Sequence, residues 1–284
     1  MKIYVCPCLG KEKSMAALPS VIAALKECGI TPVMSESVRA EYSDERAEYS
    51  VSDNIIGECD MLLTVGGDGM ILKWGKKAAF ADKPLVGINT GRLGFMTALD
   101  DDELDKLSAL ERGKYTLSRR MMMSAKLISS GVTRDFTSLN DVVLFKDVNS
   151  KLPEFSVKIN GTTVNKVRAD GLIFSTPTGS TAYALSAGGP IIEPTVECIQ
   201  LTFLCAHTLL NRPMIFSGND TISVGYTEYE GSRVNMSVDG GSGIEVRASD
   251  EIVINKSSVR LALVELGGKS FYGTVGEKLM QPLK

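Results

Sequence analysis

Four stretches of this chain carry residue types that could do chemistry. In the first, Val65-Gly66-Gly67-Asp68-Gly69, one carboxylate stands among three glycines. Glycines let backbone amides close on a bulky ligand, and amides at a helix start favour phosphate. A lone anion repels phosphate, so Asp68 needs a role of its own: holding a metal, accepting a proton from a hydroxyl, or capping a tight turn. The second, Asp170 to Pro190, is the densest: Ser175-Thr176-Pro177-Thr178-Gly179-Ser180-Thr181-Ala182-Tyr183 follows a short apolar strand and leads to Gly188-Gly189. So many hydroxyls and amides in one loop suit phosphate, ribose or adenine edges and exceed what capping needs. The third, Leu139-Asn140-Asp141-Val142-Val143, sets an amide beside a carboxylate. In a regular strand the two would point apart, whereas a bend would let both reach one ligand. The fourth group is looser. His207 reads as a structural histidine hydrogen-bonded in place, and Asp239-Gly240-Gly241 as either a turn or a carboxylate offered to a ligand.

The elements around these stretches divide the chain. Up to about residue 115, strand and helix alternate. Ile3–Val5, Met61–Val65 and Pro84–Ile88 read as strands, with helices over Met15–Cys28 and from the glycine turn to about Phe80. This alternation predicts a parallel, Rossmann-like sheet with ligands at the strands' C-terminal ends, where Gly66–Gly69 and Gly91–Gly94 both fall. From 116 to about 269 the pattern turns to short β segments separated by turns such as Ser130-Gly131 and Asn160-Gly161. Arg134–Phe145 reads as one strand, and Glu251–Ile254 and Val259–Glu265 as two. The expected fold is an α/β N-terminal domain, 1–115, joined by the tail 270–284, and a β-rich domain, 116–269.

Composition narrows the function classes. The chain has 284 residues, 44% of them hydrophobic, enough for two cores. A net charge of −3 argues against bulk nucleic-acid binding. No apolar run nears the roughly 20 residues of a membrane span. The six cysteines form no CxxC pair, and Cys28, Cys59, Cys198 and Cys205 read as small core residues, which fits a reducing, cytoplasmic setting. One histidine rules out a histidine-rich metal site. No G-x-G-x-x-G follows the first strand, so a generic Rossmann dehydrogenase is disfavoured.

In order and interval, Val65–Gly69, Gly87-Ile88-Asn89-Thr90-Gly91-Arg92-Leu93-Gly94-Phe95, Leu139–Val143 and Asp170–Ile191 resemble the NAD kinase family, as do Ala206–Pro213 and Val238–Gly240. The glycine turn alone is shared with lipid kinases and phosphofructokinases; the Thr176–Tyr183 stretch is far more specific. The resemblance implies transfer of the γ-phosphoryl of ATP, or of polyphosphate, to the 2′-hydroxyl of the adenosine ribose of NAD, with Mg²⁺ or another divalent metal. It implies an active site between the domains. Asp68 would accept the hydroxyl proton and share the metal with the phosphates. Gly66 and Gly67 would face phosphates, with Gly69 beside the dinucleotide. Phe95, Asn140, Asp141, Arg168, Asp170, Thr181, Ala182, Tyr183 and Ser186 would line the NAD site, with His207 and Asp239 as further candidates. A cytoplasmic homodimer or homotetramer is implied, with no nucleic-acid or membrane partner. Three residues depart from the family pattern: Met70 in place of a small polar residue, Asp141 in place of Glu, and Gly241 in place of an amide side chain. Met70 keeps a non-catalytic dinucleotide-binding regulator in view, and the shared glycine turn keeps a lipid or other small-molecule kinase in view.

Overall fold

A computed structural model describes residues 1–91, 94–208, 211–267 and 270–279. Arg92 and Leu93 of the second glycine turn, Leu209 and Leu210 after His207, and residues 280–284 of the tail lie outside the described residues. The chain forms two compact units, Met1–Arg119 with Leu261–Lys284, and Arg120–Arg260.

The first unit runs β1 (Lys2–Pro7), α1 (Glu12–Glu27), β2 (Thr31–Ser35), β3 (Glu48–Ser50), α2 (Ile55–Glu58), β4 (Met61–Val65), α3 (Asp68–Phe80), β5 (Leu85–Asn89), β6 (Leu99–Asp100) and α4 (Ser108–Glu111). Strands β1 to β5 pair parallel in the order β5-β4-β1-β2-β3, as the alternation predicts. Strands β4 and β5 are buried along their whole length, which is why they read as unbroken apolar runs. Helix α1 starts before the predicted Met15 and carries Pro19 inside it. An interior proline costs about 3 kcal/mol. Leu18, Val21, Ile22 and Leu25, all fully buried, gain about 1.5–3 kcal/mol each, so the helix continues through. In this strand order the direction of winding reverses beside β1. Ligands of such sheets bind outside the strand ends at that reversal, and the loop after β1 and the turn after β4 stand there.

The second unit holds most of β7 (Thr116–Ser129), then β8 (Val132–Ser138), β9 (Asp141–Lys146), β10 (Glu154–Ile159), β11 (Thr162–Arg168), β12 (Gly171–Ser175), α5 (Tyr183–Ser186), β13 (Cys198–Leu204), β14 (Met214–Ser217), β15 (Ile222–Thr227), β16 (Val234–Val238), β17 (Ile244–Val246) and most of β18 (Glu251–Glu265), after which α6 (Phe271–Leu279) belongs to the first unit. Antiparallel strands in the order β14-β13-β12-β9-β16-β17 form one sheet. Strands β11, β10, β15 and the first part of β18 form a second antiparallel array. Their apolar faces share a core containing Leu144, Leu172, Phe174 and Met236 from the first and Phe155, Val157 and Val224 from the second.

Two strand expectations fail. Strand β18 does not break at Asn255–Ser258; the backbone stays extended through these polar residues, of which Ser257 is buried. Arg134–Phe145 does break, at Leu139–Asn140, and the cause is described below. Strand β13, fully buried over six of its seven residues, went unpredicted. Cys59 and Cys198 are buried as expected, but Cys205 is exposed, in a left-handed backbone conformation just past β13.

Candidate functional site

In the first unit, Gly66 has φ +154°, a geometry few residues other than glycine take, and turns the chain from β4 into α3. Asp68 is the first residue of α3 and does not cap it; the cap position is Gly67. The Asp68 carboxylate faces the second glycine turn. Its Oδ2 accepts the Phe95 N–H at 2.8 Å and its Oδ1 the Met96 N–H at 3.0 Å. Each carboxylate oxygen keeps a second lone-pair direction for a ligand, and the residue is half-exposed. A Cβ on Gly94 would come within 2.6 Å of Asp68 Oδ1 and of Thr97 Oγ1, so glycine there lets the two turns close on each other.

Met70, the feature that favoured a non-catalytic binder, is buried, and its Cγ lies 2.7 Å from where a Gly66 Cβ would stand. It packs beneath the turn. Sequence reading missed Ser14. Its fully buried hydroxyl donates to the Val65 carbonyl at 2.6 Å and accepts the Cys8 N–H at 3.0 Å, pinning the loop after β1 to the glycine turn. A small polar residue early in an otherwise amphipathic helix was the available signal.

Three acids at the end of β6, Asp100, Asp102 and Glu103, form the one group of metal-ligand type among the described residues. Two of them have protein partners: Asp100 accepts from Asn89 Nδ2 at 2.8 Å, and Glu103 accepts the Asp100 N–H and bonds Lys106.

In the second unit the sequence-predicted residues fall into two groups. The first is a knot of buried loop. Thr176 donates its hydroxyl to the Leu139 carbonyl at 2.6 Å, its backbone N–H to the Asn140 carbonyl at 2.9 Å, and accepts the Gly179 N–H at 3.0 Å. Gly179 lies so close to the Asn140 carbonyl that any Cβ would collide with it. These contacts bring Asn140 and Asp141 beside the loop that leads to Thr181, Ala182, Tyr183 and Ser186, of which Tyr183 and Ser186 are exposed. The Asn140 Oδ1 is buried with no partner among the described residues. The Asp141 carboxyl is also buried, and its pKa is pushed up from the ordinary 3.8 to about 7. Burial is the larger cause and the nearby Asp239 charge the smaller. Ser138, which helps hold this knot, was not singled out from the sequence, and Thr176 was named only as part of the hydroxyl-rich loop.

The second group surrounds Arg168. Its guanidinium lies over the Tyr229 ring, 4.4 Å from the centroid, and its buried Nε has no partner among the described residues. Asp170 pairs loosely with Lys146 at 4.0 Å. The backbone N–H of His207 donates to the Arg168 carbonyl at 2.7 Å, but the His207 ring is exposed and makes no hydrogen bond among the described residues. Among the described residues, then, His207 is anchored by its backbone and not by the ring hydrogen bond expected from the sequence.

A phosphate-type glycine turn with an aimed carboxylate at a parallel-sheet switch point, together with a buried polar knot on a β unit, defines a nucleotide-handling phosphotransferase. Comparison with known proteins is specific. Residues 10–115 match the ATP-NAD kinase N-terminal domain and residues 139–266 the ATP-NAD kinase C-terminal domain. The chain is 34% identical over 281 residues to the NAD kinase of Acetivibrio thermocellus, covering 98% of this chain and 97% of that one. It is 38% identical over 233 residues to the NAD kinase of Natranaerobius thermophilus, covering 81% of each. Among solved structures, an NAD kinase from Archaeoglobus fulgidus in complex with ATP aligns with TM-score 0.74 and 25% identity over 97% of this chain and 98% of that one. Yeast NADH kinase complexed with NADH shares the fold at TM-score 0.86 over 99% of this chain and 87% of that one, with 23% identity. The chain belongs to the NAD kinase family.

Proposed function

We propose that the chain transfers the γ-phosphoryl group of ATP to the 2′-hydroxyl of the adenosine ribose of NAD, yielding NADP and ADP. The observation that carries this reading is Asp68, a carboxylate held by two backbone N–H groups within a turn of phosphate-type amides. Asp68 accepts the hydroxyl proton as the oxygen–phosphorus bond forms and the bond from the γ-phosphorus to the β–γ bridging oxygen breaks. Fixing the carboxylate before substrate arrives is how such a group contributes to a reaction that depends mainly on positioning. The Gly66 N–H is taken by the Ile88 carbonyl at 2.9 Å, contrary to the expected phosphate-facing role of its amide, so the Gly67 amide faces the phosphates. Asn140 and Asp141 hold the ribose and adenine side of NAD, and Phe95 covers the adenine. Gly69, Thr181, Ala182, Tyr183 and Ser186 line the dinucleotide, and Arg168 and Asp170 serve its nicotinamide end.

A divalent metal fits this arrangement without a protein cage. Mg²⁺ is commonly bound by one or two carboxylates plus substrate phosphates, and Asp68 keeps lone pairs for that purpose. Mg²⁺ so held would neutralise charge on the transferring phosphoryl group. The Asp100–Glu103 acids do not include Asp68, and Asp100 and Glu103 are engaged by Asn89, the Asp100 N–H and Lys106. Six free cysteines suit a reducing cytoplasm, and we read the working form as a homodimer or homotetramer. Incubation of the protein with NAD and Mg²⁺, adding ATP or polyphosphate, tests the reading. NADP should appear, scored by an NADP-specific dehydrogenase, and should vanish with excess chelator. No NADP with either donor would overturn it.

A further inference from the structure

The break between β8 and β9 is held from two sides: Thr176 takes the Leu139 and Asn140 carbonyls, and a carboxylate about a hundred residues away takes the N–H groups. Asp239 follows β16 directly and adopts a left-handed backbone, φ +50°, a conformation Asp and Asn tolerate better than most residues. Its Oδ1 accepts the Asn140 N–H at 2.8 Å, the Ser138 hydroxyl at 2.8 Å and the Asp141 N–H at 3.2 Å; its Oδ2 accepts the Leu139 N–H at 3.0 Å. The Asp239 N–H in turn donates to the Asp141 carbonyl at 3.0 Å. Three successive backbone N–H groups are thereby turned toward one carboxylate, which no regular strand permits, since its amides alternate in direction. The bend sets the Asn140 and Asp141 side chains where they are, with the buried Asn140 Oδ1 left for a donor that the described protein residues do not supply.

We propose that Asp239 is the positioning residue of the acceptor half of the site. Its carboxylate holds the Ser138–Asp141 bend and so sets how tightly the N–H and O–H groups of the NAD adenosine are gripped, without touching NAD itself. This rests on the proposed role of Asn140 and Asp141 in holding NAD. Asp239→Asn tests it well, because asparagine keeps the size and the left-handed backbone. Whichever way its amide turns, an NH₂ group must face at least one backbone N–H where two donors cannot bond.

Steady-state kinetics and melting temperatures of Asp239→Asn, Ser138→Ala and Asn140→Ala decide the matter. The expected result for Asp239→Asn is a KM for NAD raised by about tenfold or more, the scale of losing a charged hydrogen bond, with the KM for ATP within about twofold of wild type. Ser138→Ala, which removes one donor and leaves the clamp, raises the NAD KM by about threefold and stands in if Asp239→Asn does not fold. Asn140→Ala separates the two layers of the argument. If it leaves the NAD KM unchanged, the reading of Asn140 as an acceptor-gripping residue is wrong, and the proposal falls with it. If Asn140→Ala raises the NAD KM but Asp239→Asn or Ser138→Ala does not, that reading stands and the positioning role is refuted. A merely structural clamp would lower the melting temperature and the active fraction while both KM values held, and that outcome also overturns the proposal.

Discussion

Replacing Asp141 by Asn should make the protein more stable and worse at its work, and the gain should depend on pH in one direction. Asp141 is 6% exposed. Burial, aided by the Asp239 charge, raises its pKa from 3.8 to about 7. The unfolded chain therefore releases this proton near pH 4, while the folded chain keeps it until about pH 7. Between those values the unfolded state binds fewer protons, so stability falls as pH rises through the window and levels off above it. The full penalty is about 4 kcal/mol, at 1.36 kcal/mol per pKa unit. Asn fills the same volume and carries no charge. Thermal melts of both proteins at pH 5, 6.5 and 8 should show an advantage for Asp141→Asn that is smallest at pH 5 and largest at pH 8. Each kcal/mol gained should raise the melting temperature by roughly 2–4 °C for a chain of this size class. The NAD KM should rise in the same variant. An advantage that is constant with pH, or a variant that melts below the parent at pH 8, would refute the reasoning.

Two glycines give sharper structural tests. Gly179→Ala forces a methyl group into the Asn140 carbonyl and should cost about 1–3 kcal/mol, read by denaturant unfolding, with NAD binding weakened in step. Gly94→Ala drives a Cβ to within 2.6 Å of Asp68 Oδ1; it should lower kcat more than NAD affinity, and unchanged kcat would mean the carboxylate needs no such support.

How much of this could be read from the sequence depended on how local each cause was. The parallel sheet was legible because β4 and β5 are short apolar runs that end in glycine turns, and both the pattern and its punctuation lie within a few residues. Asp68 was legible as a carboxylate out of place among phosphate-type amides, but not its partners at Phe95 and Met96, 27 and 28 residues on. The β8–β9 break was illegible for the same reason on a larger scale. Leu139–Val143 has strand-like composition, and what bends it is a carboxylate 98–101 residues away together with Thr176, also distant in the chain. Asp141 shows the remaining gap, since its raised pKa follows from burial and a neighbouring charge, which are properties of the folded chain. Met70 is buried under the turn, a placement that its position in the sequence did not show.

Asp68 is the central claim, and one preparation tests it. NAD affinity by calorimetry and NADP formation with ATP and Mg²⁺ should be measured on the same Asp68→Asn protein. The account predicts a dissociation constant for NAD within about twofold of wild type and turnover reduced by about 100-fold or more, the usual scale for losing a positioned general base. Undiminished turnover, or turnover lost only in proportion to lost NAD binding, would contradict it.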